Sequence, residues 1–291
     1  MNGSPADYMT VGILQAAAFP SSCGLTALRA IAADGQFGAV ETTLAGAPVP
    51  EARTLLAEAG LLVDFDAGAA LYASGGSLCS LDDCARAQAI AIARECIDGA
   101  YALGAVRLSV VSGRDPGEPH RAAALDVLID SLLMLHEYAR RMGGLELSLK
   151  MADRDVDKRF LIGPTRDGVA VAQRVRERYP EFGLVLNLAH LPLLREDPES
   201  AVRLAAPYLA RVHIGNSVIG DGDMHPSFGV PGSAVCAADL SRFLSALVSV
   251  GYLSRGRGNV VAFEVRPAPD DDPLAVVAQS HRVLCEAWAS V

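Results

Sequence analysis

Charged side chains stand at the ends of short apolar segments in the second half of the chain. Lys150 ends the segment LELSLK, and His213 lies within RVHIGN. Glu264 lies between Phe263 and Val265 in VVAFEV, where a carboxylate must be paired, liganded or protonated. We therefore expect these three side chains to take part in chemistry rather than to be solvated surface charges.

Further polar side chains follow the same apolar segments. The loop GDGDMHPSFGVPGS is rich in Gly and Pro and has no structural need for the imidazole of His225. The remaining candidates are Asn187, His190, Asn216, Asp221, Asp223 and Arg266, with Asp153, Asp155, Asp157 and Lys158 just beyond Lys150. Of these, we expect Asn187, Asn216, His225 and Arg266 to bind substrate.

This set of residues suits two kinds of chemistry. His213, His225, Glu264 and Asp223 could bind a divalent transition metal such as Mn, Co, Fe or Zn. Without a metal, Glu264 or a histidine would act as a base while Lys150 stabilises an oxyanion. Either arrangement serves enolisation, in which a proton beside a carbonyl is removed. A Schiff base on Lys150 is a third role, and it requires a depressed lysine pKa.

The elements that must position these residues alternate between strand and helix. Two amphipathic segments, residues 84–105 and 123–144, close on glycine as helices do. Eight strand-helix pairs predict a single (β/α)8 barrel over residues 1–291, with its reactive groups at the carboxyl ends of the strands. The predicted strands are residues 9–16, 39–44, 61–67, 106–112, 145–151, 183–188, 211–216 and 260–265, and residues 215–237 form the one long loop.

An open doubly wound sheet is the alternative fold. No strand is followed by the G-x-G-x-x-G turn of that fold, so we expect no nucleotide cofactor.

Composition and charge exclude several classes of protein. The net charge of -9 and the lack of basic runs disfavour nucleic acid as a partner. The six cysteines include no C-x2-C pair, so we expect free or buried thiols and a reducing cytoplasm. No secretory leader and no apolar run of about 18 residues is present, which predicts no contact with a membrane.

Several motifs resemble the xylose-isomerase-like sugar phosphate isomerase/epimerase superfamily over essentially the whole chain. They are L-x-N-L-A-H, V-H-I-G-N, D-x-H, F-E-V and a helix that ends A-x-x-L-G-A. The stretches DRDVDKRFLIGPT, HIGNS, HPSFG and FEVRP are more similar still to the branch of bacterial C-glycoside deglycosidase catalytic subunits. This resemblance implies a TIM barrel that acts on a sugar or a sugar-bearing small molecule.

The resemblance also implies a metal site from which this chain departs. The Glu, Asp, His and Glu ligands of the superfamily fall on Lys150, Asn187, His213 and Glu264. A lysine and an asparagine in place of two carboxylates remove about three negative charges, so we expect the ordinary site to be impaired or absent. Two outcomes stay open: a site rebuilt from His213, His225, Glu264 and Asp223, or the Lys150 ammonium in the place of the metal.

The sequence thus predicts an isomerase, an epimerase or a related lyase that acts by enolisation. His190 would bind substrate hydroxyls, and Lys150 and Asn187 would hold the oxyanion. One alternative is a non-catalytic barrel that serves as a partner subunit, and a homodimer is also compatible with the apolar last helix. A remote alternative is a metal nuclease of the endonuclease IV type, whose further His ligands are missing from LVDFDAGAA and LSVVSGRDP.

Overall fold

Eight parallel strands form a closed barrel in the order in which they follow along the chain. The computed structural model describes residues 3–20, 22, 24–43, 49–220 and 225–291. The strands are β1 (Thr10–Leu14), β2 (Ala39–Thr42), β3 (Leu62–Asp66), β4 (Arg107–Val110), β5 (Glu146–Lys150), β6 (Gly183–Asn187), β7 (Leu209–Ile214) and β8 (Val260–Phe263). Strand β1 pairs with β8, so the barrel prediction is confirmed and the open sheet is wrong.

Helices connect the strands and surround the barrel. They are α1 (Gln15–Ala18), α2 (Gly24–Asp34), α3 (Val49–Glu58), α4 (Gly68–Ala73), α5 (Asp83–Leu103), α6 (Arg121–Met142), α7 (Thr165–Arg176), α8 (Leu191–Leu194), α9 (Pro198–Ala205), α10 (Ala237–Ser249) and α11 (Pro273–Trp288). Asp82 is the N-cap residue of α5. Its carboxylate accepts a hydrogen bond from the Ala85 N–H at 2.8 Å. Gly104 ends this helix at φ 83°, as the sequence predicts.

The strands are shorter than predicted at their carboxyl ends. Strand β8 ends at Phe263, so Glu264 stands one residue beyond it rather than inside it. Strand β7 begins at Leu209 and ends at Ile214, whereas the prediction began at 211 and ended at 216. The N–H of Glu264 still donates to the carbonyl of Ile214 in β7 at 2.8 Å. This offset places the candidate residues at the barrel mouth.

The barrel interior contains two polar layers. Asp64 of β3 forms an ion pair with Arg211 of β7, and both side chains are almost fully buried. Because β3 and β7 are four strands apart in a ring of eight, this pair spans the barrel. Side chains two residues apart share a face of a strand, so Asp66 and His213 belong to the next layer toward the mouth. The fold thus gathers the candidate residues of several strands at one end.

The described cysteines form no disulfide, in line with the expected free thiols; they are Cys79, Cys84, Cys96, Cys236 and Cys285. No helix in the described ranges is long and apolar enough to cross a membrane.

Candidate active site

A buried ion pair occupies the floor of the barrel mouth. The Lys150 ammonium, at the end of β5, lies 2.7 Å from Glu264 Oε1. Lys150 is 9% exposed and Glu264 is 7% exposed, so neither charge is solvated as a surface pair would be. The ion pair accounts for a carboxylate in an otherwise apolar segment.

The second oxygen of Glu264 is also engaged. Asn187 Nδ2 donates a hydrogen bond to Glu264 Oε2 at 2.6 Å, and His213 Nδ1 lies 3.1 Å from the same oxygen. The other ring nitrogen of His213 lies 2.9 Å from Glu41 Oε2. Asn187 and His213 are direct neighbours in the register of β6 and β7. Each ring nitrogen of His213 therefore faces a carboxylate.

The two carboxylates favour the imidazolium form of His213. Burial lowers the pKa of His213, but Glu41 and Glu264 together raise it above its ordinary value. Burial raises the pKa of Glu264, yet Lys150, His225 and His213 bring it well below the ordinary value. Burial raises the pKa of Glu41, but His213, Lys150 and Arg211 together lower it below the ordinary value. Glu264 is thus a poor base in this state.

Lys150 remains a cation at the bottom of the site. Burial lowers its pKa, but the charges of Glu264, Asp66 and Glu41 more than offset burial and raise the pKa above the ordinary value. Schiff-base formation requires a neutral amine. The third role considered for Lys150 is therefore unsupported.

A cavity of about 280 Å³ opens above the ion pair. Its polar lining is Asp66, Lys150, Lys158, His190, His225, Glu264 and Arg266, and its apolar lining includes Tyr72, Val111 and Phe160. A smaller cavity of about 120 Å³ adjoins it and shares Asp66, Glu264 and Arg266. Neither cavity is lined by Asn187 or His213, which contact Glu264 beneath the two cavities.

Asp66 is the cavity carboxylate best suited to accept a proton. It ends β3, and its Oδ1 accepts a hydrogen bond from the Gly68 N–H at 2.7 Å. Burial raises the pKa of Asp66 to about 6; Lys150 opposes this effect, and Glu41 and Glu264 add to it. A base with a pKa near the working pH is the most effective one.

Two histidines also line the cavity. The rings of His190 and His225 meet edge to face with centroids 5.2 Å apart. His225 Nε2 lies 3.5 Å from Glu264 Oε1. The backbone of His225 has φ 48°, and its carbonyl accepts the Arg266 N–H at 2.7 Å. A non-glycine residue held at positive φ is common in functional sites, since the surrounding structure must impose it.

The loop after β5 contributes an aromatic wall. The Asp153 carboxylate accepts three backbone N–H bonds at 2.7 to 2.8 Å from residues 156, 157 and 158. This turn brings Lys158 over the ring of Tyr72 at 5.0 Å, and Phe160 meets Tyr72 edge to face at 6.1 Å. The loop predicted only as a run of charges thus supplies apolar surface to the cavity.

Two predicted site residues are placed differently from expectation. Asn216 donates to Ser227 O and Ser233 Oγ, and it accepts the N–H groups of Ser217 and Val235. All four of these bonds hold the loop after β7. Asn187 contacts Glu264 rather than the cavity. Asp221 and Asp223 lie outside the described residues.

The described residues do not fit a divalent metal. Lys150 bonds to one oxygen of Glu264, and Asn187 and His213 contact the other. Both nitrogens of His213 face carboxylates, which leaves no lone pair for a metal in the imidazolium form. In the described part of the chain, no three His, Cys, Asp or Glu side chains are placed to hold a metal together.

Comparison with known proteins agrees with this architecture. The family model of the xylose isomerase-like TIM barrel matches residues 21–287. No curated protein matches the chain. Similar solved structures include an L-ribulose 3-epimerase, at 19% identity and a TM-score of 0.68, over 97% of this chain and 92% of that chain.

Two further structures have the same fold. One is an AP endonuclease, family 2, from Brucella melitensis, at 18% identity and a TM-score of 0.73, over 94% of this chain and 99% of that chain. The other is a 3-keto-D-glucoside 4-epimerase from E. coli, at 18% identity and a TM-score of 0.68, over 94% and 98%. At such identities the likeness concerns the fold, and function depends on the site. On the match of the family model to nearly its whole length, this chain belongs to the xylose isomerase-like TIM barrel family.

Proposed function

We propose that this protein is an isomerase or epimerase, or a related lyase, that enolises a sugar or a sugar-bearing small molecule. The observation that carries the proposal is the placement of Asp66 and His225 around a cavity whose floor is the Lys150 ammonium. Asp66 ends β3, whereas the His225 carbonyl accepts the N–H of Arg266, which follows β8, three strands away from β3 in the ring. A carbon bound between them has a proton-transfer group toward each face.

The proposed reaction begins with proton removal by Asp66. The substrate carbonyl oxygen accepts a hydrogen bond from Lys150, and Asp66 takes the proton from the adjacent carbon. The C–H electron pair forms a carbon-carbon double bond while the carbonyl π pair moves onto oxygen. The resulting enediolate oxygen is stabilised by the ammonium, which is already in place and needs no reorganisation.

The fate of the enediolate decides the class of product. Proton donation by His225 to the opposite face of the same carbon gives an epimer, and the protons of both groups are restored by exchange with solvent. The names of the L-ribulose 3-epimerase and the 3-keto-D-glucoside 4-epimerase are in keeping with this outcome. In the C-glycoside version, the enediolate oxygen re-forms the carbonyl, and its carbon-carbon π pair moves to the next carbon-carbon bond. The bond to the leaving group on that carbon breaks, and the leaving group keeps the electron pair and takes a proton from His225.

The cavity size favours a small substrate. Its volume of about 280 Å³ lies at the lower end of the range for small-molecule sites. Tyr72 and Phe160 offer an apolar surface beside hydrogen-bonding groups, the combination that a sugar ring requires. Arg266 is exposed at the mouth and lines both cavities, where it can contact the outer part of the substrate.

Hydrogen exchange with solvent tests the proposal directly. The protein is incubated in D2O with ketopentoses, ketohexoses and 3-keto-glucosides, and loss of the proton beside the carbonyl is followed by NMR. We expect exchange with at least one of these sugars and its loss in Asp66→Asn, whereas His225→Gln should keep exchange through Asp66 and lose formation of the epimer or of the cleaved product. Asp130→Asn is the matched control, because Asp130 is an exposed carboxylate on α6. Exchange that persists in Asp66→Asn, or product formation that persists in His225→Gln, would contradict the assignment.

A further inference from the structure

We propose that the Lys150 ammonium is a built-in replacement for a divalent cation, so that the protein polarises its substrate without a metal. The catalytic part of this inference rests on the proposed function. The metal-binding part concerns the protein alone and can be tested whether or not a substrate is found.

The first argument is the occupation of ligand atoms. The Lys150 ammonium donates a hydrogen bond to Glu264 Oε1 at 2.7 Å. Its Oε2 is taken by Asn187 at 2.6 Å and His213 at 3.1 Å. These partners use three of the about four lone-pair sites of the carboxylate. A metal at the remaining site on Oε1 would lie beside the Lys150 ammonium and be repelled by it, and displacing Lys150 would leave a buried ammonium without its anion.

The second argument is charge balance. Of the two buried carboxylates here, Glu264 pairs with the Lys150 ammonium, and Glu41 and Glu264 each lie within hydrogen-bond distance of one ring nitrogen of His213. Among the described residues that line the two cavities, Asp66 is the only further carboxylate. A divalent cation bound here would share Glu264 and Asp66 with the Lys150 ammonium and lie close to that ammonium in a buried site, which is unfavourable.

The third argument is that the ammonium can perform the metal's task. A lysine ammonium has three donors, and one of them is used by Glu264. Lys150 also lines the cavity, so its remaining N–H groups are accessible to a carbonyl oxygen. Because Glu264 holds the ammonium in place, the positive charge is fixed before substrate binds. Lys150 is thus a candidate catalytic residue that contacts the substrate.

Metal uptake by the full chain tests the inference. Wild-type protein is equilibrated with excess Mn²⁺, Co²⁺ or Zn²⁺, passed through a desalting column, and its metal content is measured by mass spectrometry. We expect substoichiometric metal in the wild type and about one equivalent in Lys150→Glu, because this change frees Glu264 and adds an anionic ligand. Arg174→Glu is the control, since it makes the same change of charge on the exposed side of α7.

Folding of the variants is checked by circular dichroism and by the melting temperature. If Lys150→Glu does not fold, Lys150→Gln removes the cation with a side chain of similar length and should also gain metal. About one equivalent of metal in the wild type would overturn the inference. Folded Lys150 variants that gain no metal would overturn it as well.

Activity provides the second readout. Solvent exchange by the wild type should change less than about twofold after EDTA treatment, since no metal takes part. Exchange lost in Lys150→Ala should be partly restored by methylammonium, which can enter the space left by the side chain. Loss of wild-type exchange in EDTA would overturn the inference. If no sugar shows exchange at all, the proposed function fails, and the metal content still decides this inference.

Discussion

Glu41 and Glu264 hold the two nitrogens of one imidazole ring, that of His213, from opposite sides. The distances are 2.9 Å to Glu41 and 3.1 Å to Glu264. The arrangement fixes the ring and couples a carboxylate of β2 to one beyond β8. Charge at the floor of the site is therefore shared by a chain of four groups that ends at Lys150. A change to any one of them is expected to affect the others.

Glu264→Gln should abolish turnover and lower stability. The amide cannot balance Lys150 or His213, so the ammonium loses its fixed position and an uncompensated buried charge remains. We expect solvent exchange to fall by about 100-fold or more and the free energy of unfolding to fall by about 3–5 kcal/mol. Exchange kinetics and urea denaturation measure the two effects.

The double variant Lys150→Met/Glu264→Gln separates these two effects. It removes both partners of the ion pair, so most of the lost stability should return while activity stays absent. Full activity in Glu264→Gln would show that the carboxylate is not required.

Asp66 should set the pH dependence of the reaction. A carboxylate accepts a proton only when it is ionised, so the exchange rate should rise with pH and level off above the pKa of Asp66, about 6. Asp66→Asn should lower the rate by about 10²–10⁴-fold and remove this midpoint. The pH profile of kcat/KM in wild type and variant is the measurement. An unchanged midpoint in the variant would assign it to another group.

His136 should make the fold sensitive to acid independently of the site. Burial, helped by Arg140, lowers the pKa of His136 from 6.5 to about 4. Between these values the unfolded chain binds a proton and the folded chain does not. Stability therefore falls as the pH drops from about 6.5 to about 4, by roughly 3 kcal/mol in total.

His136→Phe tests this linkage. The ring of His136 stacks on Tyr179 with centroids 4.7 Å apart, and phenylalanine can preserve that contact. As the pH drops from about 6.5 to about 4, the free energy of unfolding of the wild type should fall relative to that of the variant. Denaturation at several pH values measures both. Parallel curves would mean that His136 does not contribute.

Gly215→Ala should disturb the site through the backbone. A β-carbon on Gly215 would lie 2.3 Å from the carbonyl oxygen of Glu264, so the backbone of Glu264 must shift. We expect a loss of about 1–3 kcal/mol in stability, together with reduced exchange. Gly60→Ala is the control, because Gly60 has φ +66° but no atom within 4 Å of its added β-carbon. Equal loss of exchange in both variants would contradict the prediction.

The sequence allowed the barrel and part of its site to be predicted. Eight buried strands leave a strong apolar pattern, and a charge inside such a pattern, as at Lys150 or Glu264, is conspicuous. Glu41 and Asp66 stand in similar segments, AVET and LVDFD, but the sequence alone does not mark them as site residues. A carboxylate near a strand end is usually solvated, and only closure of the barrel brings Glu41 against His213.

The amide side chains were harder to interpret. An asparagine can bind a ligand or the backbone equally well, because it has both donors and acceptors. Asn216 uses them all within its own loop, and Asn187 uses them on Glu264 and on the N–H of Ala189. The sequence shows that an asparagine is present, but it does not show which groups its amide bonds to. Those partners depend on the path of the loop that follows each strand.

The pairing of β1 with β8 also has a consequence for synthesis on the ribosome. Glu264 follows β8, the last strand to be made, and β8 completes the ring against β1. Until β8 emerges, Lys150 lacks the carboxylate that balances it, and His213 has only Glu41 as an anionic partner. A nascent chain arrested before this strand should therefore expose both strand edges and be a substrate for chaperones, and the polar centre should be among the last parts of the molecule to form.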